Sequence, residues 1–214
     1  MNLVFIHGWG FGPGFWDPLA ALLPQYQQRR LNLGFFGEAT KDVTDNEASI
    51  LIGHSLGFVH GMKMKKNWSG WIAINSFPRF VATEESAGCI PAAVLLRMQK
   101  QLQRDPKKTL ADFYHLIGAE TPATSAKPCL ERLNEGLDEL RHSDIREDLA
   151  HHKMGLVLAA QNDPLVPMAT SESMASSNTT LVVHPTGGHV LPQSAAPWCA
   201  EAITNFIAEH FGTR

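Results

Sequence analysis

The sequence predicts an α/β protein: a compact, mostly parallel sheet of about six strands flanked by helices, with further helices inserted as a cap. Three observations carry this. Short apolar runs recur at 2–6, 29–33, 49–52, 71–74, 154–159 and 179–183, and several are continuous rather than alternating, as in strands covered on both faces. Helical patterns lie between most of these runs, and strand alternating with helix builds a parallel sheet. The alternation breaks once, from 78 to 149, where no strand-like run occurs and helical patterns follow one another. The expected division is a core of residues 1–77 and 150–214 with a cap of 78–149 set into it.

Taken along the chain, the run 2–6 leads into His7-Gly8-Trp9-Gly10. Residues 15–23 have helical spacing and close at Pro24, and a strand at 29–33 follows. The run 49–52 meets Gly53-His54-Ser55-Leu56-Gly57, after which a helix begins, and 71–74 is the next strand. Cap helices are expected at 91–102, 110–117 and 129–140. The strand at 154–159 runs into Gln161-Asn162-Asp163-Pro164, and that at 179–183 into Pro185-Thr186-Gly187-Gly188-His189. Trp198, Ala202, Ile203, Phe206, Ile207 and Phe211 place a last helix over Ala196–Phe211.

Composition narrows the function. The chain has 214 residues, 44% hydrophobic and 18% charged, enough for one domain with a real core. A net charge of −3 does not suit a nucleic-acid surface, which needs a basic balance. Cys89, Cys129 and Cys199 are odd in number and far apart, so they suggest neither a disulfide framework nor a zinc knuckle, and a reducing, cytoplasmic setting is expected. The N-terminus does not read as a signal peptide, and no apolar run approaches the ~20 residues of a membrane span. A monomer with no membrane or nucleic-acid partner is expected.

The chemistry is carried by a constellation. A buried strand followed by Gly-x-Ser-x-Gly is the pattern of a nucleophile elbow, in which a tight turn exposes the serine above the sheet edge. A serine hydroxyl is inert without a base, a group that orients the base, and donors for the developing oxyanion. Asp163 and His189 follow Ser55 in that order, each just past a strand's carboxyl end, where open α/β sheets gather their functional groups. Asp163 before Pro164 also suits a plain turn, and His189 after two glycines suits a plain loop. In order and at strand ends, the three together point to Ser55 as nucleophile, His189 as base and Asp163 as its orienter. The oxyanion donors expected are the backbone N–H groups of Leu56 and of Trp9, the latter in the loop after the first strand.

With His7-Gly8-Trp9-Gly10, Gly53-His54-Ser55-Leu56-Gly57, Asn162-Asp163 and Gly188-His189 in order, the chain resembles the α/β-hydrolase superfamily along nearly its whole length. Phe15-Trp16, Asn75-Ser76-Phe77-Pro78-Arg79-Phe80 and Leu133-Asn134-Glu135-Gly136-Leu137, with Asp144-Ile145-Arg146, are similar to the esterase family that cleaves pimeloyl-acyl-carrier-protein methyl esters in biotin synthesis. The resemblance implies a serine carboxylesterase working through an acyl-enzyme, without cofactor or metal, on an acyl ester carried on acyl-carrier protein. It implies that basic cap residues meet the acidic carrier, with Arg97, Arg104, Arg132 and Arg141 as candidates; a solvated helix face is the other reading. Trp9, Phe77, Phe80, Phe113 and Leu116 are candidate substrate-lining residues, each also suited to plain core. The chain departs from the family in length: the leading antiparallel strands are missing, the helix before the nucleophile strand, within 38–52, is shortened or absent, and Phe58 stands where a second glycine is common.

Other activities share this constellation. A general short-chain carboxylesterase, a thioesterase or a C–C bond hydrolase would use the same three residues, and only the pocket decides among them. A cyanohydrin-type lyase would want an extra lysine near the site, and a non-catalytic binding protein would have no use for the three residues together. The His151-His152 pair does not read as a metal site, since adjacent residues face different ways.

Overall fold

The computed structural model describes residues 1–40, 48–64, 67–83, 88–151 and 154–212. Six strands form one parallel sheet: β1 (Asn2–Ile6), β2 (Gln27–Leu31), β3 (Ser49–His54), β4 (Gly70–Ile74), β5 (Gly155–Ala160) and β6 (Thr179–His184), in the order β2-β1-β3-β4-β5-β6. Every residue of β3, β4 and β5 is buried. Since alternate side chains point to opposite faces, both faces of the sheet's middle are covered, which explains the unbroken apolar runs. The outer strands are the polar ones: β2 reads Gln-Gln-Arg-Arg-Leu, with only Leu31 buried, and β6 is half-buried throughout much of its length.

Helix α2 (Leu56–Met64) follows β3 directly and packs on β1, β3 and β4. The C-terminal α9 (Ala196–Phe211) packs on β5, with α1 (Asp17–Ala20) and α8 (Leu191–Ser194) beside it. Between β4 and β5 lie α3 (Ala92–Arg104), α4 (Pro106–Ile117), α5 (Leu130–His142) and α6 (Arg146–His151), and no named strand interrupts them among the described residues. A short α7 (Met168–Glu172) separates β5 from β6.

Several element boundaries differ from the sequence expectation; α4, expected at 110–117, starts at Pro106, because the Asp105 side chain caps it by accepting from Lys108 N–H and Pro106 opens its first turn. The helix expected over 15–23 is a 3-10 turn, Pro13–Trp16, and a single α turn, Asp17–Ala20. Beyond it, Leu22 and Leu23 donate to the carbonyls of Leu19 and Ala20, so the helix ends in tight turns, and Gln28 Nε2 on the edge strand donates to the Ala20 and Leu23 carbonyls as a second partner. The second strand starts two residues earlier than expected. As an edge strand it pairs on one side only, and its boundary follows the register with β1 rather than apolar character. Within 38–52, where a helix was expected to be shortened or absent, residues 41–47 lie outside the described residues.

Candidate active site

The elbow explains its own glycines. Ser55 follows β3 with φ 51°, a left-handed conformation uncommon outside glycine, and α2 starts at the next residue. A Cβ at Gly53 would lie 2.2 Å from the Cα of Phe58, and one at Gly57 would lie 2.1 Å from the carbonyl oxygen of Ile6. Backbone cannot yield at either contact, so both positions must be bare. Phe58, in place of a further glycine, is fully buried against Trp71 with ring centroids 5.2 Å apart. Ser55 itself is buried, 8% exposed, rather than standing exposed as the elbow pattern led one to expect; its N–H donates to the Ile74 carbonyl, and its own carbonyl accepts from Ser76 Oγ at 2.7 Å.

Parallel register brings the other strand ends to the same rim: His54 pairs with Ile74, Ile74 with Leu158, and Ala160 with His184. Asp163 and His189 meet there. The Nδ1–H of His189 donates to Asp163 Oδ2 at 2.9 Å, and both side chains are about 1% exposed. The carboxylate also accepts from Asn75 Nδ2 at 2.5 Å, from Leu165 N–H at 2.8 Å and from Val166 N–H at 3.0 Å. Burial alone would push the Asp163 carboxyl up, but the His189 imidazole, the Asn75 amide and the Leu165 N–H outweigh it and hold the group below its ordinary value. An acceptor-only carboxylate at Nδ1 leaves Nε2 of His189 free to take a proton. No hydrogen bond links Ser55 Oγ to His189 among the described residues.

Three residues outside the expected set build this rim. His54, within the elbow, donates from Nε2 to the His189 carbonyl at 2.8 Å and lies in an aromatic nest with Phe15 at 4.5 Å and His189 at 4.9 Å. Asn162 Oδ1 accepts from Gly188 N–H at 2.9 Å, joining the acid loop to the histidine loop. Asn75, just past β4, reaches both loops. A polar residue at the end of β4, beside the strand that leads to Ser55, was the available signal, although the sequence marked Asn75 only as part of a resemblance.

The loop after β1 is tied to the inserted helices. Trp9 is buried; its indole N–H donates to the Leu133 carbonyl of α5 at 2.7 Å, and its ring stands edge-on to Phe113 at 4.9 Å. Tyr114 Oη donates to the Gly10 carbonyl at 2.5 Å. Among the described residues the backbone N–H groups of Trp9 and Leu56 have no hydrogen-bond partner.

The other expected residues fall as follows. Phe77 and Phe80 are buried and pack as a tilted pair with ring centroids 4.6 Å apart, Phe113 is half-buried against Trp9, and Leu116 is 55% exposed. A cavity of about 720 Å³ is bordered by Phe11, Phe15, Phe36, Pro122, Val190 and Gln193; none of the expected lining residues borders it, and neither do Ser55, Asp163 and His189. Arg97 and Arg104 are exposed on α3, whereas Arg132 pairs with Glu135 and Arg141 with Asp138 within α5. No cluster of metal-ligating side chains occurs among the described residues, and His152 lies outside them. No helix among them is long and apolar enough to cross a membrane.

A parallel six-stranded sheet with a serine elbow after its third strand, an acid after its fifth and a histidine after its sixth is the α/β-hydrolase fold. Solved structures agree: an esterase from Exiguobacterium antarcticum superposes with a TM-score of 0.79 at 16% identity, covering 97% of this chain and 91% of that one. A hydrolase from Oleispira antarctica gives 0.76 at 15%, covering 96% and 90%. In sequence the chain is similar to the pimeloyl-(acyl-carrier protein) methyl ester esterases of Xanthomonas campestris pv. campestris, 27% identical over 239 residues and covering 96% of this chain and 94% of the relative. That of Serratia marcescens is 28% identical over 242 residues, covering 98% and 94%. No protein-family profile matches the chain.

Proposed function

We propose that the chain is a serine carboxylesterase that hydrolyses the methyl ester of a pimeloyl chain carried on acyl-carrier protein, a step of biotin synthesis, in the cytoplasm. Ser55 is the nucleophile, His189 the general base and Asp163 the group that fixes its tautomer. The observation that carries the reading is the buried Asp163–His189 pair at the rim where the Ser55 elbow ends. The substrate rests on the similarity to the esterases of Xanthomonas campestris and Serratia marcescens over nearly the full chain.

Catalysis proceeds in two acyl-transfer steps. On substrate binding the Ser55 hydroxyl closes on His189 Nε2, as catalytic pairs that are loose without ligand do. His189 takes the proton while Oγ attacks the ester carbonyl. The unpartnered Trp9 and Leu56 N–H groups donate to the oxyanion, each contributing about 3 kcal/mol. Methanol leaves with the proton from His189. Water, deprotonated by the same imidazole, then releases the acid and restores Ser55. The inserted helices act as a cap, and the exposed Arg97 and Arg104 on α3 meet the acidic carrier.

The test is restoration of growth without biotin in a bacterial strain lacking its own esterase for this step, beside an ester chain-length series with purified protein. Growth that is lost with Ser55→Ala supports the carrier-bound substrate. Failure to grow, with rapid turnover of simple short-chain esters or thioesters, contradicts it in favour of a general esterase or thioesterase.

A further inference from the structure

Asn75 is the least expected member of the rim. It is 1% exposed and takes a left-handed backbone, φ 47°, which asparagine tolerates better than most residues. Its backbone N–H donates to the Leu158 carbonyl at 2.8 Å, anchoring the turn to β5. Its side-chain amide donates twice: to Asp163 Oδ2 at 2.5 Å and to the Gly188 carbonyl at 3.0 Å. Both partners are pure acceptors, so the amide orientation is set by chemistry; a flipped amide would oppose oxygen to oxygen. The cost of this arrangement is visible: Asn75 Oδ1 is buried with no partner. A group that leaves one polar atom unsatisfied in order to aim two donors holds those donors' targets in place.

We propose that Asn75 is a positioning residue for the acid–base pair: its amide locks the Asp163 carboxylate toward His189 Nδ1 and pins the histidine loop at Gly188. The inference rests on the Ser55–His189–Asp163 reading. One side chain thus spans the two loops whose separation sets the Asp163–His189 distance, and it does so from the strand next to the nucleophile. The groups that bear on Asp163 from the packed elements are His189 after β6, His54 of β3, and the thiol of Cys89 in the segment before α3.

The experiment compares Asn75→Gly and Asn75→Asp with wild type on a short p-nitrophenyl ester, with Ser55→Ala alongside. Glycine accommodates the left-handed backbone without strain while removing the side chain that carries the amide. Asn75→Gly is expected to lower kcat by up to about 100-fold with KM little changed, because the pair is misplaced rather than the substrate site. Asn75→Asp sets a second negative charge against the pair, which favours the imidazolium and raises the apparent pKa of the coupled groups. The acid limb of kcat/KM should therefore move to higher pH, by about one unit. A merely structural role would lower thermal stability without moving that limb. Wild-type kcat in Asn75→Gly, or an unmoved acid limb in Asn75→Asp, overturns the proposal. If Ser55→Ala retains full activity, the catalytic reading itself fails instead.

Discussion

His54 and His189 are joined by a buried hydrogen bond, 2.8 Å from Nε2 of the first to the backbone carbonyl of the second. The residue beside Ser55 thereby holds the backbone of the residue proposed as its base. His54→Ala removes the donor and opens a space between Phe15 and His189. It should cost about 3 kcal/mol in chemical denaturation and lower kcat more than it raises KM. A variant as stable and as fast as wild type would show the contact to be incidental.

Gly57→Ala tests the elbow's geometry. The added methyl meets the Ile6 carbonyl oxygen at 2.1 Å, so α2 must shift away from β1. A loss of about 3 kcal/mol or failure to accumulate folded protein is expected. Gly14→Ala, where the nearest atom is 3.4 Å away on a side chain, should be nearly silent in the same unfolding assay.

Stability should fall on mild acidification. His7 is fully buried, donating to the Gly8 carbonyl and accepting from Leu33 N–H, and burial pushes its pKa down to about 4. His54 is likewise held well below the usual value, first by burial and then by the nearby His189. Both histidines bind a proton more readily unfolded than folded. Their stabilisation is therefore complete above the ordinary histidine value of ~6.5 and is lost as pH falls toward 4, at about 3 kcal/mol for His7. Urea midpoints at pH 7.5, 6 and 4.5 should decline steadily; equal midpoints would contradict this.

Trp9→Phe keeps an aromatic ring against Phe113 but loses the indole donor to Leu133. The expected outcome is a loss of about 1 kcal/mol and a several-fold fall in kcat, since the loop that carries the Trp9 N–H is steadied by α5. Unchanged turnover would mean that the inserted helices do not brace that loop.

The sheet was legible because burial on both faces leaves continuous apolar runs, and β1, β3 and β4 appear where Leu3–Ile6, Ile50–Ile52 and Trp71–Ile74 place them. The edge strand was read two residues late because Gln27 to Arg30 pair through backbone alone, which leaves no apolar mark. Order and strand ends singled out Ser55, Asp163 and His189, and the structure brings Asp163 and His189 within hydrogen-bond reach. Asn75 and His54 were not singled out, because what makes them matter is a pair of long-range hydrogen bonds to Gly188 and His189, and register across the sheet creates those contacts.

The most direct measurement is intact-mass and peptide mapping after treatment with a fluorophosphonate, which traps a serine that an adjacent base has activated. One adduct per chain on Ser55 is expected, absent in Ser55→Ala and formed far more slowly in His189→Ala. Folded wild-type protein that takes up no label, or a label that persists undiminished in Ser55→Ala, would contradict Ser55 as the nucleophile.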